Sequence, residues 1–166
     1  LPDYINRKVV LWKSSDKTHE QTKKLNTLFQ TGTEFHILIM NVEAFSYDFG
    51  KEFARRFLDS HNAMMAIDES TSIKTPTANR TKNILKLKHL AKYRRILTGS
   101  PVTNSPLDLF SQCEFLGSWL LKTDSYYDFR ARYSVMKSIN LGSRSVNEVV
   151  GLRNLGKLSS LIEPFS

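Results

Sequence analysis

The sequence has little cysteine and no long apolar stretch, and each of these absences excludes a class of protein. The one cysteine, Cys113, cannot form a disulfide within the chain, which is typical of proteins from a reducing compartment. The longest strongly apolar run, residues 37–40, is far shorter than the roughly 20 residues that a bilayer-spanning helix needs. No secretory signal, a basic segment followed by an apolar one, begins the chain. These features predict a protein that works inside the cell and outside the membrane.

Acidic residues are absent from one long segment. Between residues 74 and 95 there is no Asp or Glu, whereas eight basic residues occur there: Lys74, Arg80, Lys82, Lys86, Lys88, Lys92, Arg94 and Arg95. The other 16 basic residues equal the 16 acidic residues in number, so this basic segment holds the whole net charge of +8. Such a concentration is typical of proteins that bind the phosphate backbone of nucleic acids. A lysine-rich helix face that is simply solvated explains the charge equally well.

The size and composition of the chain are those of one globular domain. Its 166 residues, 40% of them hydrophobic and 24% charged, can enclose a core without a metal or a disulfide. The chain begins with Leu1 and Pro2 rather than Met, so we interpret it as a fragment of a longer protein, which we call the parent.

Short apolar runs alternate with amphipathic stretches along most of the chain. We predict strands at residues 9–12, 36–40, 63–67 and 95–97, and helices at residues 18–30, around Phe49, Phe53 and Phe57, at residues 77–91 and from Pro106 to residue 115. Alternation of this kind is typical of an α/β fold with a parallel sheet and helices on both faces. The second strand is apolar after its first residue, which predicts that both of its faces are covered. The Phe stripe of the second helix is expected to pack in the core.

The alternation of strands and helices does not continue beyond the fourth helix. Apolar residues at helical spacing predict a helix at residues 126–136, and a last helix around residues 155–161 is stopped by Pro164. Between them, residues 139–147 are rich in Gly, Ser and Asn, which predicts a loop. We therefore expect a helical appendage at residues 118–166.

Two adjacent carboxylates, Asp68 and Glu69, directly follow the third predicted strand. Such a pair beside a buried strand needs a cation or an ordered hydrogen-bond network to hold it. In parallel sheets the functional side chains gather beyond the carboxyl ends of the strands, where these two would face phosphate and Mg²⁺. Taken alone, however, the pair is explained more simply as the start of a turn in which Ser70 and Thr71 cap the structure that follows.

Two further segments favour the catalytic interpretation. Asn41-Val42-Glu43 follows the second strand, and Leu97-Thr98-Gly99-Ser100-Pro101 ends the fourth and continues beyond it. Together with Asp68-Glu69-Ser70-Thr71, and in this order, they resemble the first motor lobe of Swi/Snf-like ATPases in helicase superfamily two. The resemblance extends over roughly residues 36–117.

Within that region the segments resemble motifs of the family one by one. Residues 68–71 resemble its DEAH-type box, and residues 73–74 resemble the Ile/Lys pair just beyond that box. Residues 93–101 resemble the R-x-x-LTGTP coupling motif, with Asn104 at its usual Asn. Residues 41–43 resemble the TTYE-like segment, which touches the nucleic-acid backbone.

The resemblance implies that the parent hydrolyses ATP with Mg²⁺. Asp68 would hold Mg²⁺ through water, and Glu69 would orient and polarise the attacking water, so both residues would contact the nucleotide complex. A coupling group would link ATP hydrolysis to movement along DNA. This group comprises Thr71, Thr98, Gly99, Ser100 and Pro101.

The resemblance also implies a fold and partners. Residues 1–117 would form an incomplete RecA-like lobe, and residues 118–166 would lead to a second RecA-like lobe of the parent. DNA, expected to be duplex and bound independently of sequence, would be contacted by a nucleic-acid group that comprises Asn41, Lys74, Arg80 and Lys82. The parent would be a helicase or a translocase.

This sequence departs from the pattern of the family at several positions. Ser70 and Thr71 replace Ala-His, so the imidazole that links the nucleotide to the coupling motif is absent and Thr71 offers a hydroxyl instead. Ser100 replaces Thr, and Asn41 stands where Thr is common. The Ser-Thr pair and the layout of the tail are most similar to phage and bacterial members. We therefore expect the protein to work in the cytoplasm of a bacterium or of a phage-infected host, or in the nucleus if the source is eukaryotic.

The sequence contains no phosphate-binding loop of the form G-x-x-x-x-G-K-[ST]. Without the backbone amides that cradle phosphates in such a loop, we expect the chain alone to bind ATP poorly and to be inactive. The alternatives to a motor are a non-catalytic, nucleic-acid-binding RecA-like module and an unrelated α/β protein. If the first strand of the lobe is absent, one sheet edge is unpaired. The chain would then cover that edge with its amino-terminal segment or self-associate.

Overall fold

The computed structural model describes residues 4–13, 19–30, 32–140, 142 and 145–165. The alternating part contains β1 (Arg7–Leu11), α1 (His19–Asn26), β2 (Phe35–Ile39), α2 (Asp48–Ser60), β3 (Met64–Ile67), α3 (Asn79–Leu87), β4 (Tyr93–Ile96) and α4 (Leu109–Leu116). The tail contains α5 (Tyr126–Tyr133), β5 (Ser134–Asn140), β6 (Ser145–Leu152) and α6 (Leu155–Ile162). Short 3-10 turns connect or extend these elements at Thr27–Phe29, Val42–Ser46, Ser70–Ile73, Lys88–Leu90, Pro106–Asp108, Ser118–Leu121 and Glu163–Phe165.

The first four strands pair in parallel, as the sequence predicts. β1 pairs with β2, and β3 pairs with β4, giving two two-stranded sheets. The first pairing continues past the strands, because the Trp12 amide donates to the Ile39 carbonyl at 2.8 Å. The chain therefore has the α/β architecture of a partial RecA-like lobe.

Helices pack against one face of these strands. Side chains alternate between the faces of a strand, and Val10 of β1 and Ile67 of β3 point to the covered face, where both are buried. Val10 packs with residues of α1 and α2, and Ile67 packs with residues of α2, α3 and α4. From the Phe stripe of α2, Phe53 and Phe57 are buried as predicted, whereas Phe49 is largely exposed with its ring centroid 5.0 Å from that of Trp12.

The opposite face of the same strands is apolar and exposed, and we call it the bare face. Its side chains are between 48% and 59% exposed, and they are Val9, Leu11, Phe35, Ile39, Met64, Tyr93 and Leu97. The prediction that β2 is covered on both faces is therefore wrong. Within the described ranges the helices form the layer on one face only, although the sequence predicts helices on both.

The outer edge of β4 has no neighbouring strand in the described part of the chain. In a parallel ladder alternate residues bond to each side, and the Leu97 amide donates to the Ile67 carbonyl at 2.9 Å. The peptide groups of Arg94 and Ile96 therefore point away from β3. A groove of about 510 Å³ runs along this edge, between the strand and Trp119. The amino-terminal residues form β1 beside β2, so the described part of that segment does not cover the edge.

Gly50 in the first turn of α2 lies against the Val42–Ser46 turn. A Cβ at this position would be 2.3 Å from the Ala44 carbonyl oxygen, a backbone atom that cannot move aside. We expect Gly50→Ala to lower the free energy of unfolding by about 2 kcal/mol or more, because overpacking outweighs the helix propensity that Ala gains. Urea denaturation measures the change. Gly156→Ala in α6 is the matched control, since open space surrounds that position, and equal stabilities of the two variants would contradict the prediction.

The tail contains a β-hairpin that the sequence does not reveal. The predicted helix over residues 126–136 ends at Tyr133, and the predicted loop over residues 139–147 is largely strand. β5 and β6 pair antiparallel, with Ile139 opposite Val146, and the chain turns at Gly142 with φ of 73°. The predicted loop is wrong because cross-strand pairs stabilise a hairpin whose polar residues suggest irregular structure.

α4 contributes to two cores. Phe115 packs with Ile67 and α3, whereas Phe110 packs with the tail residues Phe129 and Leu158. Burial raises the pKa of the Cys113 thiol to about 11, so this cysteine is a neutral core residue at physiological pH. No helix among the described residues has the length and apolar character needed to cross a membrane.

Candidate functional site

The paired carboxylates lie in solvent at the carboxyl end of β3. Asp68 and Glu69 are both exposed, and an Asp68 carboxylate oxygen accepts a hydrogen bond from the Glu69 amide at 3.0 Å. Within the described ranges, neither carboxylate forms a salt bridge. The two groups are therefore open to a ligand rather than held by structural partners.

Glu69 adopts a left-handed backbone conformation, with φ of 49° and ψ of 60°. This region costs a residue other than glycine roughly 1–2 kcal/mol. The conformation ends β3 abruptly and places Ser70 beside β4, where the Ser70 amide donates to the Leu97 carbonyl at 3.0 Å. The Ser70–Ile73 turn has no side-chain cap, so the simpler interpretation, in which Ser70 and Thr71 cap this structure, does not describe it.

The predicted coupling segment lies next to the carboxylates. Backbone hydrogen bonds join Leu97 both to Ile67 and to Ser70, so the acidic pair and residues 98–101 leave the same edge of adjacent parallel strands. The Ser100 amide donates to the Thr98 hydroxyl at 3.3 Å, and the Ser100 hydroxyl donates to the Val102 carbonyl at 2.9 Å. Residues 98–101 therefore form a bend with internal hydrogen bonds, which we call the coupling bend.

Gln112 of α4 joins these two segments, and the sequence analysis does not single it out. Its Oε1 accepts from the Ser70 hydroxyl at 2.6 Å, and its Nε2 donates to the carbonyls of Pro101 at 2.7 Å and Asp108 at 3.0 Å. The side chains of Ser70 and Gln112 are fully buried. The signal in the sequence is an amide close to Phe110 and Cys113 in a helix whose other residues are mostly apolar.

Lys74, predicted to contact nucleic acid, bonds to other residues of this protein through its ammonium group. Its ammonium group donates to the Thr103 hydroxyl and lies 4.0 Å from an Asp108 carboxylate oxygen. Partial burial raises the pKa of Asp108, but hydrogen bonds from Asn104, Thr103 and Ser105 more than offset that effect and hold the pKa below its usual range. An ionised Asp108 therefore holds the loop that follows the coupling bend and attracts Lys74.

The other residues of the nucleic-acid group lie in different settings. Arg80 donates through Nε to the Ser72 carbonyl at 3.0 Å, which ties α3 to the turn after the carboxylates. Asn41 is exposed beyond the end of β2, in the other strand pair, and Lys82 is exposed on α3. Thr71, from the coupling group, is half-buried in the Ser70–Ile73 turn. The structure therefore brings the carboxylates and the coupling bend together but leaves Asn41 on another sheet.

The basic segment divides into internal and exposed cations. Lys88 pairs with Glu114 and donates to the Ser118 hydroxyl at 3.0 Å. Arg94 donates to the carbonyls of Leu116, Lys88 and Ala91, at 2.9 to 3.1 Å. The cations that remain exposed to solvent are Lys82, Lys86, Lys92 and Arg95. Lys88 and Arg94 therefore have structural partners, which neither interpretation of the basic segment foresees, and phosphate binding stays a prediction for the exposed cations.

Comparison with known proteins identifies the family. The sequence model of the SNF2-related domain matches residues 4–164. The chain belongs to the SNF2-related domain family. It is similar to the chromatin-remodeling ATPase INO80 of Cryptococcus neoformans, at 28% identity over 155 residues that are 91% of the chain and 8% of that protein. It is also similar to the DNA annealing helicase and endonuclease ZRANB3 of Mus musculus, at 30% identity over 66% of the chain and 10% of that protein. The chain thus spans a tenth or less of the length of these relatives.

The site of this SNF2-related domain fits Mg²⁺ better than it fits a whole nucleotide. Two exposed carboxylates that form no salt bridge within the described ranges suit an ion that keeps several waters and takes one or two protein ligands. Among the described residues, no cluster of three or more His, Cys, Asp or Glu side chains forms a protein cage for a metal. A phosphate-binding loop of the form G-x-x-x-x-G-K-[ST] is absent from the sequence.

Proposed function

We propose that this SNF2-related domain is part of an ATP-dependent motor that moves along DNA as a translocase or helicase. The observation that carries the proposal is the placement of two free carboxylates beside the coupling bend, joined through the Ser70 amide and the Leu97 carbonyl at 3.0 Å. Relatives described as a chromatin-remodeling ATPase and as a DNA annealing helicase support it.

In the proposed reaction each carboxylate has a separate task. Asp68 holds Mg²⁺ through water, and the ion, when bound with ATP, neutralises charge on the phosphate oxygens. Glu69 accepts a hydrogen bond from the attacking water and orients it toward the terminal phosphate. Its left-handed backbone directs this side chain into solvent beyond β3, where a nucleotide can approach.

Thr71, Thr98, Gly99, Ser100 and Pro101 are proposed to transmit the change of nucleotide state to DNA. A Cβ at Gly99 would have no atom within 4 Å, so the bend has free space around it in which to move. DNA is proposed to lie on exposed cations, including Lys82, and on Asn41, with contacts to phosphates rather than to bases. Lys74 and Arg80, which are partly exposed, are proposed to contact phosphates beside this surface, although one donor of each already bonds within the protein.

The proposed division of the chain lies where the strand and helix alternation ends, after α4. Residues 1–117 form the partial motor lobe, and residues 118–166 form the appendage that leads to a second RecA-like lobe of the parent. The protein is proposed to work inside the cell, in a bacterium or a phage-infected host, or in the nucleus if its source is eukaryotic.

A non-catalytic nucleic-acid-binding module is the second candidate. A phosphate-binding loop encoded in the parent upstream of Leu1 would favour the motor, and its absence there would favour the module. The experiment that separates the two is ATP hydrolysis by the parent with and without duplex DNA. Stimulated hydrolysis supports the motor, whereas DNA binding without hydrolysis supports the module.

We also propose that the isolated chain self-associates through the free edge of β4. Tyr93 is exposed beside that edge, and charged side chains at a sheet edge oppose pairing with another chain. We expect Tyr93→Lys to shift the chain from dimers or larger species to monomer, measured by sedimentation velocity. Tyr127→Lys on α5 is the control, because Tyr127 is equally large and exposed. A wild-type chain that is monomeric at high concentration contradicts the proposal.

A further inference from the structure

Gln112 occupies an unusual position for an amide. Its side chain is fully buried on α4, where an unpaired amide would be costly. Three hydrogen bonds satisfy it, from Ser70 and to the carbonyls of Pro101 and Asp108. The amide therefore has specific partners rather than a general packing role.

The partners of this amide belong to the two halves of the proposed site. Ser70 directly follows Glu69, and Pro101 is the last residue of the coupling bend. The Gln112 side chain thus joins both halves of the site. Its oxygen accepts from Ser70 beside the carboxylates, and its nitrogen donates to Pro101 of the bend. A movement of the bend relative to Glu69 breaks at least one buried hydrogen bond, which costs more than breaking an exposed one.

We propose that Gln112 is a positioning residue that fixes the position of Glu69 relative to the coupling bend. In this way it links DNA binding to ATP hydrolysis. This inference rests on the proposed motor function. Gln112 touches no reacting atom in this arrangement. Its effect passes through the Ser70 hydroxyl on one side and the Pro101 carbonyl on the other.

Two substitutions separate the two ends of this link. Ser70→Ala removes the hydrogen bond to the carboxylate side and leaves the contacts of the bend in place. Gln112→Leu keeps a side chain of similar volume but removes the hydrogen bonds to Ser70 and to the bend. Ser111→Ala is the matched control, because the Ser111 hydroxyl is also buried on α4 and finds no hydrogen-bond partner among the residues that the structure describes.

The first measurement uses the 166-residue chain and needs no activity. Amide hydrogen exchange is expected to become about tenfold faster at residues 98–100 in Gln112→Leu and at residues 69–71 in both variants, since a buried hydrogen bond contributes about this factor or more. Ser111→Ala leaves both segments unchanged. Unchanged exchange at both segments in Gln112→Leu overturns the proposal, whatever the activity of the parent.

The second measurement is the ratio of DNA-stimulated to basal ATP hydrolysis in the parent. We expect Ser70→Ala and Gln112→Leu to lower this ratio about tenfold, with KM for ATP unchanged and with the double variant no worse than the poorer single one. A purely structural role would lower both rates together and leave the ratio constant, which overturns the proposal. A wild-type parent without stimulated hydrolysis refutes the motor function instead, and the exchange measurement then still decides whether Gln112 holds the two segments together.

Discussion

Glu69→Gln in the parent is expected to lower the kcat of DNA-stimulated ATP hydrolysis by about 100-fold or more. The amide keeps the shape of the side chain but cannot accept a proton from the attacking water, and a positioned general base contributes about 100-fold to 10,000-fold. Because Glu69 is exposed and without a salt bridge in the described ranges, the substitution leaves the fold intact. Steady-state hydrolysis at saturating duplex DNA measures the loss.

The control for this substitution is Glu148→Gln, which neutralises an exposed carboxylate on β6, outside the proposed site. We expect that variant to hydrolyse ATP at the rate of the wild-type parent. DNA affinity is expected to be the same for all three proteins, since Glu69 acts on the nucleotide. Retention of most stimulated hydrolysis by Glu69→Gln would reject the assignment of the water-activating residue.

Binding of duplex DNA by the chain is expected to weaken by about 100-fold between 50 and 200 mM salt, if about four phosphates are contacted. Four exposed cations of the basic segment, Lys82, Lys86, Lys92 and Arg95, can supply these contacts. Counterions released from the duplex make such contacts steeply dependent on salt. Fluorescence anisotropy with two unrelated duplexes of equal length measures both the slope and the predicted indifference to sequence.

Individual lysines test this surface further. Lys82→Ala is expected to reduce the salt slope by about one, whereas Lys23→Ala, at an exposed lysine of α1 outside the basic segment, leaves it unchanged. An affinity that hardly changes with salt would show that the exposed cations are not a phosphate-binding surface. A strong preference for one duplex would show that the chain contacts bases and would contradict binding that is independent of sequence.

The strands and their shared edge are predictable from the sequence because both depend on local pattern. Short apolar runs mark β3 and β4, and polar residues that directly follow them must emerge at one edge of a parallel sheet. The contact between Ser70 and Leu97 is therefore an expected result. The roles of Asp68 and Glu69 stay predictions until hydrolysis is measured.

Other features depend on contacts between residues far apart in the chain, which local pattern does not contain. The bonds of Lys74 with Thr103 and of Arg80 with Ser72 tie two predicted DNA ligands to neighbouring residues of the protein. The role of Gln112 is not visible in local sequence, because its bonds to Pro101 and Ser70 span 11 and 42 positions. The hairpin is not predictable from local pattern for a related reason, since its stability comes from cross-strand pairs.

The bare face has a consequence for how this polypeptide can be handled. Its seven large apolar side chains stay about half in water, so part of the hydrophobic free energy available to the fold is not realised when the chain is produced alone. Salting-out agents such as sulfate strengthen apolar burial and should precipitate the isolated chain early in purification.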